Sequence, residues 1–410
     1  MNWEKTYKVL GLILAGSILF SSCDFLFGSR HDETVDEVFE EGAIDPTLIP
    51  DKVGYVPIFP FWDQFSNPTD VYAGYDEMIY VVDDNGLNIL DQKGSLHQTV
   101  SISGATDVVQ DRRLHIYVAG LVETDADGDQ VNETLAAVYH LSGTSSGNVV
   151  FEDTLIHPFN DESRNNIAYR PNDDPQVRFT GLATLADNRL YVARTGPRND
   201  LNSIARPDNT VLFFDAEGEN IGYANGLNPT SSSLKSCIAL SAIATFIGPP
   251  QSVSGFSNSA DFMLLQSADN AEFKALWIIE YDDPEVGISY IENSDLVAFD
   301  QSKADRFLYE SNRFNSPSDI CISPDFTGYI FIVDAAKDSL FQFTQRGFEG
   351  VNPPPNSGIE KQLIASFGGN GNGPFEFNEP SGISYFKRTI YVADKGNNRI
   401  CRFRLSADLE

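Results

Sequence analysis

A unit of short apolar segments separated by turns recurs along this chain, and it constrains the fold more than any other feature. The three clearest copies lie at 65–90, 314–343 and 377–403. Each begins with phenylalanine and proline, continues into a β-branched and aromatic run that ends in aspartate, and closes with a polar turn and a second apolar run. Such runs predict short β-strands. The repetition predicts that neighbouring copies bury each other's faces, since one copy alone cannot bury both of its own.

The parts of the unit have physical roles in a stack of β-sheets. A proline at the entry fixes φ and needs no hydrogen-bond partner for a backbone N–H at the start of a strand. The aspartate that ends the apolar run can accept hydrogen bonds from turn amides. These aspartates are Asp83, Asp334 and Asp394. The dipeptides Asn85-Gly86 and Gly396-Asn397 are typical of tight turns that need positive φ.

This unit resembles the NHL repeat, whose copies are four-stranded blades of a β-propeller. The last copy matches almost every element of that repeat, including Tyr-Val-Ala-Asp at 391–394 and Arg-Ile at 399–400. The resemblance covers residues 55–405 and implies an all-β propeller. Six entry segments predict a six-bladed β-propeller, although the long segment 150–235 leaves seven blades as the alternative. The innermost strands are predicted near Asp70, Asp107, Gly181, Leu240, Asp319 and Gly382.

The two ends of the repeated region are predicted to meet. The last copy ends soon after Phe403 and lacks an outer fourth strand, whereas the segment 53–59, before the first copy, is itself strand-like. We expect this segment to supply the missing strand and close the ring. Closure removes exposed sheet edges, which otherwise invite aggregation.

Cys23 gives the clearest functional signal near the N-terminus. It follows a basic start, with Lys5 and Lys8, and an apolar segment at 9–20 that is too short for a hydrocarbon core that needs about 20 residues. The junction Ser21-Ser22-Cys23 resembles a bacterial lipobox, in which a peptidase cuts before the cysteine and the thiol is lipidated. The resemblance implies a soluble body held at a membrane by acyl chains on Cys23.

The sequence is predicted to divide into three parts. A lipoprotein signal peptide occupies 1–22, an acidic tether occupies 23–52, and the NHL-type β-propeller occupies 53–405. The tether holds nine acidic and two basic residues, so charge repulsion favours an extended linker. A short amphipathic helix around 35–39 is the alternative.

The net charge of −31 limits the partners that this chain can bind. Its 59 acidic residues outnumber 28 basic residues, and nucleic-acid binding needs a basic surface. We therefore expect no nucleic acid, and contact with a membrane through the lipid anchor only. The junction at Cys23 also resembles those of lipoproteins of the Bacteroidota, and we expect an outer-membrane lipoprotein, either periplasmic or surface-exposed. In enterobacterial sorting an aspartate after the cysteine retains lipoproteins in the inner membrane, so Asp24 leaves that location as the alternative. The predicted partner is an envelope protein or a glycan.

Three cysteines remain beside Cys23, and they are Cys237, Cys321 and Cys401. At most one disulfide can form among three thiols. Each of the three stands in an apolar, strand-like context. We expect buried free thiols that act as small hydrophobic side chains.

An acidic segment after the second repeat is a candidate calcium loop. Asp125, Asp127, Asp129 and Glu133 place four carboxylates within nine residues, and calcium binds several oxygen ligands in compact loops. Gln130 stands where an EF-hand loop has glycine, and no glutamate occupies the twelfth position. A solvated acidic hairpin without calcium is the alternative.

A polar insertion at 159–178 is the candidate binding loop. It is rich in Asn, Asp, Arg and Pro, and long loops on rigid scaffolds often carry binding residues. Tyr169, Arg170 and Arg178 are the candidate contact residues. A crossing between blades without a binding role is the alternative.

Two classes of function remain open. Six-bladed lactonases resemble this architecture and hold calcium at the axis with Glu, Asn and Asp, so Asp70, Asp107 and Asp319 are candidate ligands in a metal-dependent hydrolase. The alternative is a structural role, in which these aspartates bond to amides of the neighbouring blade. The five histidines are scattered, and no serine–histidine arrangement is suggested. The predicted function is therefore a non-catalytic module that binds or scaffolds a partner at the envelope.

Overall fold

The structure is a computed structural model. It describes residues 42–125, 128–157, 172–199, 207–227, 237–248, 260–285, 287–293, 305–325, 327–354 and 357–409. The chain divides into a unit at Met1–Ala43, of which only Gly42 and Ala43 are described, and a compact unit at Ile44–Glu410. Helical structure in the described ranges consists of short 3₁₀ turns, among them Pro46–Leu48. None of these helices is long and apolar enough to cross a membrane.

The described strands form six sheets, one of five strands and five of four strands, and the strands from Tyr55 onwards pair antiparallel. Two strands precede the first blade: β1 (Ala43–Ile44) and β2 (Tyr55–Phe59). The strands of the first two blades are β3 (Asp70–Ala73), β4 (Ile79–Asp83), β5 (Gly86–Leu90), β6 (Leu96–Val100), β7 (Asp107–Gln110), β8 (Ile116–Thr124), β9 (Glu133–Ser142) and β10 (Val150–Ile156).

The remaining four blades follow in chain order. The strands of the third and fourth blades are β11 (Arg178–Thr184), β12 (Leu190–Thr195), β13 (Thr210–Phe214), β14 (Asn220–Tyr223), β15 (Leu240–Thr245), β16 (Phe262–Gln266), β17 (Ala275–Asp283) and β18 (Gly287–Glu292). The strands of the last two blades are β19 (Pro317–Ile322), β20 (Ile330–Asp334), β21 (Ser339–Phe343), β22 (Phe367–Gly368), β23 (Pro380–Phe386), β24 (Thr389–Asp394) and β25 (Arg399–Leu405).

The first strand of each blade lies at the centre of the propeller. These inner strands contact one another in a closed ring, in the order β3, β7, β11, β15, β19 and β23, and β23 returns to β3. The prediction of a six-bladed, all-β propeller is therefore confirmed, and the seven-bladed alternative is wrong.

Packing between blades explains the composition of the middle strands. Every residue of β4, β5 and β20 is buried, because each blade is covered on both faces. A strand buried on both sides reads as a continuous apolar run rather than an alternating one. The outer strand β6, by contrast, is mostly exposed and polar.

The predicted closure of the ring is confirmed at its outer edge. Strand β2 pairs with β25, with Tyr55 opposite Leu405 and Val56 opposite Arg404. The last sheet thus runs in the order β1, β2, β25, β24 and β23. Residues 42–52, predicted as the end of the tether, contain β1 and the 3₁₀ turn at Pro46–Leu48. The boundary of the tether stays a prediction.

The aspartates that end the second strands bond to turn and entry-segment amides, as predicted. Asp334 is fully buried and accepts hydrogen bonds from the amides of Ser316 and Ala336 at 3.0 and 3.1 Å. The equivalent contacts of the other two aspartates are Asp83 with Ser66 and Asn85, and Asp394 with Asn378. Each aspartate therefore ties the entry segment to its own blade.

The tight turns confirm one prediction of positive φ and correct another. Gly86 has φ +117°, as predicted. In the last blade the left-handed residue is Asn398, with φ +54°, and not Gly396 or Asn397, because a 3₁₀ turn at Lys395–Asn397 ends in a left-handed cap. Gly396 is needed for space instead, since a Cβ there would lie 2.4 Å from the side-chain nitrogen Nδ2 of Asn378 and 2.8 Å from its backbone oxygen.

Candidate functional site

A cavity of about 100 Å³ lies on the propeller axis. One apolar side chain from each inner strand contributes to its wall. These side chains are Val71, Val108, Leu182, Ile243, Ile320 and Ile383. Tyr72, Tyr75 and Tyr385 also line the cavity. Cys321, in the inner strand β19, lines it as well. The cavity is therefore mainly apolar, with polar groups at its two ends.

Asp70, Asp107 and Asp319 lie together at the start of their inner strands and line this cavity. Each carboxylate accepts a hydrogen bond from an amide of the next blade. The three contacts are Asp70 with Val108 at 2.9 Å, Asp107 with Leu182 at 3.3 Å, and Asp319 with Ile383 at 2.7 Å. Asp70 and Asp319 also accept from the amides of Val71 and Ile320, both at 2.7 Å. These contacts are those expected if the three aspartates have a structural role and bond to amides of the neighbouring blade.

The other three blades place small residues at the equivalent position. Gly181, Ala242 and Gly382 occupy it, as the pairing of each inner strand with its neighbour shows. A Cβ on Gly382 would lie 2.6 Å from the Cα and carboxylate oxygen of Asp70. Glycine at 382 therefore leaves the room that the Asp70 carboxylate needs.

The three aspartates share a buried, like-charged environment, which disfavours their ionised forms. Burial raises the pKa of Asp70 to about 6, and the hydrogen bonds from the Val108 and Val71 amides partly offset that effect. Burial, followed by repulsion from Asp70, raises the pKa of Asp107 well above its ordinary value. Burial and repulsion from Asp70 and Asp107 do the same for the pKa of Asp319. The cluster thus favours fewer than three negative charges at neutral pH.

Hydroxyl groups one residue earlier form a second set of links between blades. Thr69 and Thr106 donate to carbonyl oxygens of the following blade, at Ala105 and Phe179. Ser318 donates to the Pro380 carbonyl at 2.6 Å. The three aspartates and these hydroxyls therefore make the same kind of contact, a hydrogen bond from one blade to the next, and together they stabilise the closed ring. Within the described residues, no group of three or more His, Cys, Asp or Glu side chains is arranged to hold a metal ion.

The acidic hairpin projects from the second blade between β8 and β9. Asp125 accepts hydrogen bonds from the amides of Gly128 and Gln130 at 2.7 and 2.9 Å, and Asp129 accepts from Val131 at 2.8 Å. Asp127 lies outside the described residues. Calcium binding by Asp125, Asp127, Asp129 and Glu133 stays a prediction.

The other candidates are only partly within the described residues. Cys23, Tyr169 and Arg170 lie outside them. Arg178 begins β11 and is exposed, and its guanidinium donates to the carbonyls of Pro175 and Val177 at 2.7 and 2.6 Å. A binding role for this loop stays a prediction.

The three remaining cysteines are free thiols. Cys237 and Cys401 are fully buried, as predicted, and Cys321 is half-buried because it lines the axial cavity. Burial raises the pKa of the Cys237 and Cys321 thiols well above their ordinary value. Both are therefore protonated at neutral pH.

A second cavity, of about 310 Å³, lies between the fifth and sixth blades. It is on the propeller face that carries the hairpins between the first and second strands of the blades. Three tyrosines, two aspartates and one arginine contribute to its wall. The lining residues are Tyr55, Asp325, Thr327, Tyr329, Tyr385, Arg388, Leu405 and Asp408. We call this the tyrosine pocket.

The last blade carries the family relationship of the chain. Residues 377–403 match the family model described as NHL repeat, and they contain β23, β24 and most of β25. The chain is a six-bladed β-propeller whose last blade matches the NHL repeat. No curated protein sequence matches this chain.

Solved propeller structures resemble this chain only distantly. An auxiliary nutrient binding protein from Bacteroides thetaiotaomicron is 12% identical, with a TM-score of 0.48, over 89% of this chain and 75% of that one. A gluconolactonase from Xanthomonas campestris is 10% identical, with a TM-score of 0.45, over 89% and 96%. Virginiamycin B lyase from Staphylococcus aureus is 11% identical, with a TM-score of 0.39, over 88% and 94%. These values carry no argument about activity.

The sequence pattern did not predict the tyrosine pocket. Its residues come from four segments between Tyr55 and Asp408, which only ring closure brings together. Six of the 28 basic residues of this acidic chain fall within 387–404. Of these six, Arg388 alone lines the pocket, so their concentration does not locate it.

Proposed function

We propose that this NHL propeller is a non-catalytic binding module, held at a bacterial envelope by a lipid on Cys23. The observation that carries the proposal is the use of the axial aspartates. Asp70, Asp107 and Asp319 direct their carboxylate oxygens to amides of the neighbouring blades. A hydrolase with an axial metal needs such oxygens as ligands, and here they serve to join the blades.

The sequence supports the envelope location in this proposal. The short apolar segment at 9–20 and the junction Ser21-Ser22-Cys23 have the composition of a lipoprotein signal. The acidic character of the chain argues against nucleic acid as a partner. The partner in the proposal is an envelope protein or a glycan, bound at one face of the propeller.

A hydrolysis assay and crosslinking together test the proposal. The full chain, purified from membranes, is incubated with aliphatic and aromatic lactones, with and without added calcium or zinc. We expect hydrolysis at the rate of buffer alone under all conditions. Metal-dependent hydrolysis that Asp107→Asn abolishes would instead establish the hydrolase alternative.

Crosslinking on intact cells addresses the binding half of the proposal. A partner should be recovered with the wild-type protein in amounts that exceed those with an unrelated lipid-anchored control. Equal recovery of every envelope protein with both baits would contradict a binding role.

A further inference from the structure

We propose that the tyrosine pocket binds a neutral pyranose ring of a saccharide. This inference rests on the proposed function as a binding module and names the class of its ligand. A pocket of about 310 Å³ is at the lower end of the range of about 300–1,000 Å³ that is typical of small-molecule sites. A site of this size suits one or two sugar rings rather than a protein surface.

The aromatic side chains of the pocket are held in fixed positions. The Tyr385 ring stacks on buried Phe331 with centroids 5.3 Å apart and an angle of 16° between the planes. Tyr329 meets the same phenylalanine edge to face at 6.4 Å. Tyr55 is buried and donates its hydroxyl proton to Gln342 at 2.8 Å. Rigid amphipathic rings of this kind offer apolar faces to the C–H groups of a sugar and a polar edge to its hydroxyls.

The polar groups of the pocket are also organised in advance. Tyr385 donates to Asp325 Oδ2 at 2.7 Å, and Thr327 donates to Asp325 Oδ1 from both its hydroxyl and, at 3.0 Å, its amide. Asp325 is half-buried and therefore holds one orientation at the pocket wall. A carboxylate fixed in this way can accept hydrogen bonds from sugar hydroxyls with little loss of side-chain entropy.

The charges around the pocket favour a neutral ligand. Arg388 contacts Asp408 at 3.3 Å. Burial raises the pKa of Asp408, and the positive charges of Arg388 and Arg404 partly offset that effect. Two acidic side chains are thus matched by two guanidinium groups, in a chain whose net charge is −31. A pyranose needs donors and acceptors but no counter-ion, so this balance suits it better than a cation or an anion.

The turn that carries Arg388 is strained. Phe386 pairs with Thr389, so Lys387 and Arg388 form a two-residue hairpin loop. Their φ angles are +45° and +65°, a conformation that costs residues with a Cβ about 1–2 kcal/mol each. Such turns usually use Asn-Gly. This turn places the Arg388 guanidinium at the pocket.

Ligand-detected NMR and calorimetry with defined sugars test the inference. The neutral probes are the methyl pyranosides of glucose, galactose and mannose, and the charged probes are glucosamine and glucuronic acid. We expect at least one neutral pyranoside to bind the full-length protein at millimolar concentration. Binding of only the charged sugars, or of none, would overturn the inference.

Variants locate the binding at the tyrosine pocket. Tyr329→Ala and Asp325→Asn should each weaken binding about tenfold or more, since each removes a contact that the ligand uses. The matched control is Tyr281→Ala, which removes an exposed tyrosine of the fourth blade and should bind as the wild type does. Equal affinity of the wild type and both pocket variants would place the sugar elsewhere and overturn the inference.

Arg388→Gly separates binding from folding. Glycine adopts positive φ without strain, so this variant should melt no lower than the wild type while its affinity falls. An unchanged affinity would contradict the part assigned to Arg388 and with it the inference.

An oligosaccharide and a peptide that bear the same sugar then distinguish a free saccharide from a glycoprotein as the source, and binding of either supports the inference.

The two proposals fail in different ways. Metal-dependent lactone hydrolysis would overturn the proposed function even if sugars bind. Absence of pyranoside binding, together with a crosslinked partner and no hydrolysis, would overturn the tyrosine pocket as a sugar site and leave the binding module in place.

Discussion

The Ser381 hydroxyl donates a hydrogen bond to the Pro68 carbonyl at 2.8 Å, and this contact joins the last inner strand to the first across 313 positions of the chain. Tyr55 opposite Leu405 joins the same two ends at the outer edge of the last blade. The ring is therefore closed both near the axis and at its rim. Because β2 makes the outer of these two contacts, the stability of the whole propeller depends on this N-terminal strand.

Deletion of residues 53–60 should strongly destabilise the propeller. It removes Tyr55, Val56 and Ile58, which are buried and contribute about 1.5–3 kcal/mol each, and it exposes the edge of β25. We expect the melting temperature, followed by circular dichroism, to fall by roughly 10 °C.

A deletion of equal length provides the control for closure. Residues 45–52 are mostly exposed and contribute no buried residue, so their removal should lower the melting temperature much less. Equal losses for the two deletions would contradict the closing role of β2.

Asp107→Asn should stabilise the protein, and more at high pH than at low pH. Folding raises the pKa of Asp107, so the neutral acid is favoured in the folded state. The stabilisation from its protonated form is complete below the unfolded pKa of about 3.9 and is lost as pH rises through the folded value. Asparagine keeps the acceptor for the Leu182 amide but carries no charge, and should therefore raise the melting temperature at pH 8.

The measurement is the melting temperature of both proteins at pH 4 and pH 8. The stabilisation by Asp107→Asn should shrink at pH 4, where the wild-type aspartate is itself protonated. Asp187→Asn, at an exposed hairpin of the third blade, should change little at either pH. Destabilisation by Asp107→Asn at pH 8 would show that the charge at this position is needed.

Cys23→Ala should release the protein from membranes. Two or more acyl chains anchor a protein firmly, and the variant has no thiol to receive them. The measurement is the share of protein in the membrane fraction together with incorporation of labelled palmitate. Cys321→Ala, which alters a half-buried thiol of the propeller, should stay in the membrane fraction. Retention of Cys23→Ala with undiminished label would count against the anchor.

Calcium should bind the acidic hairpin of the second blade if its carboxylates converge on one ion. Titration calorimetry with the wild type should then give heat at or below millimolar calcium, and Glu133→Gln should reduce it. Asp187→Asn again serves as the control, because it removes one acidic group without touching the hairpin. No heat from the wild type at millimolar calcium would leave the solvated hairpin as the description of this segment.

Much of the propeller was predictable because its strands follow local rules. The apolar runs at β4, β20 and β24 predict strands from residue type alone. Pro317 and Pro380 mark strand entries, and Asp334 and Asp394 bond to amides in the entry segments of their own blades, at Ser316 and Asn378. Such contacts stay within one repeat unit, so the pattern of a single repeat contains them.

Contacts between distant segments were not predictable in the same way. The axial role of Asp70 depends on Gly382 leaving space for its carboxylate, more than 300 positions away. The tyrosine pocket depends on Tyr55 meeting the end of β25. No local pattern distinguishes these side chains from others of the same type.

The sequence by itself determined that this chain builds repeated four-stranded blades, because strand propensity, turn chemistry and the spacing of the repeat act within each unit. The tertiary structure decided what the repeats do once they form a ring. It assigned the axial carboxylates to neighbouring amides and gathered three tyrosines, Asp325 and Arg388 at one pocket. The reason is that closure of the ring sets distances between residues far apart in the chain, and a site is defined by those distances.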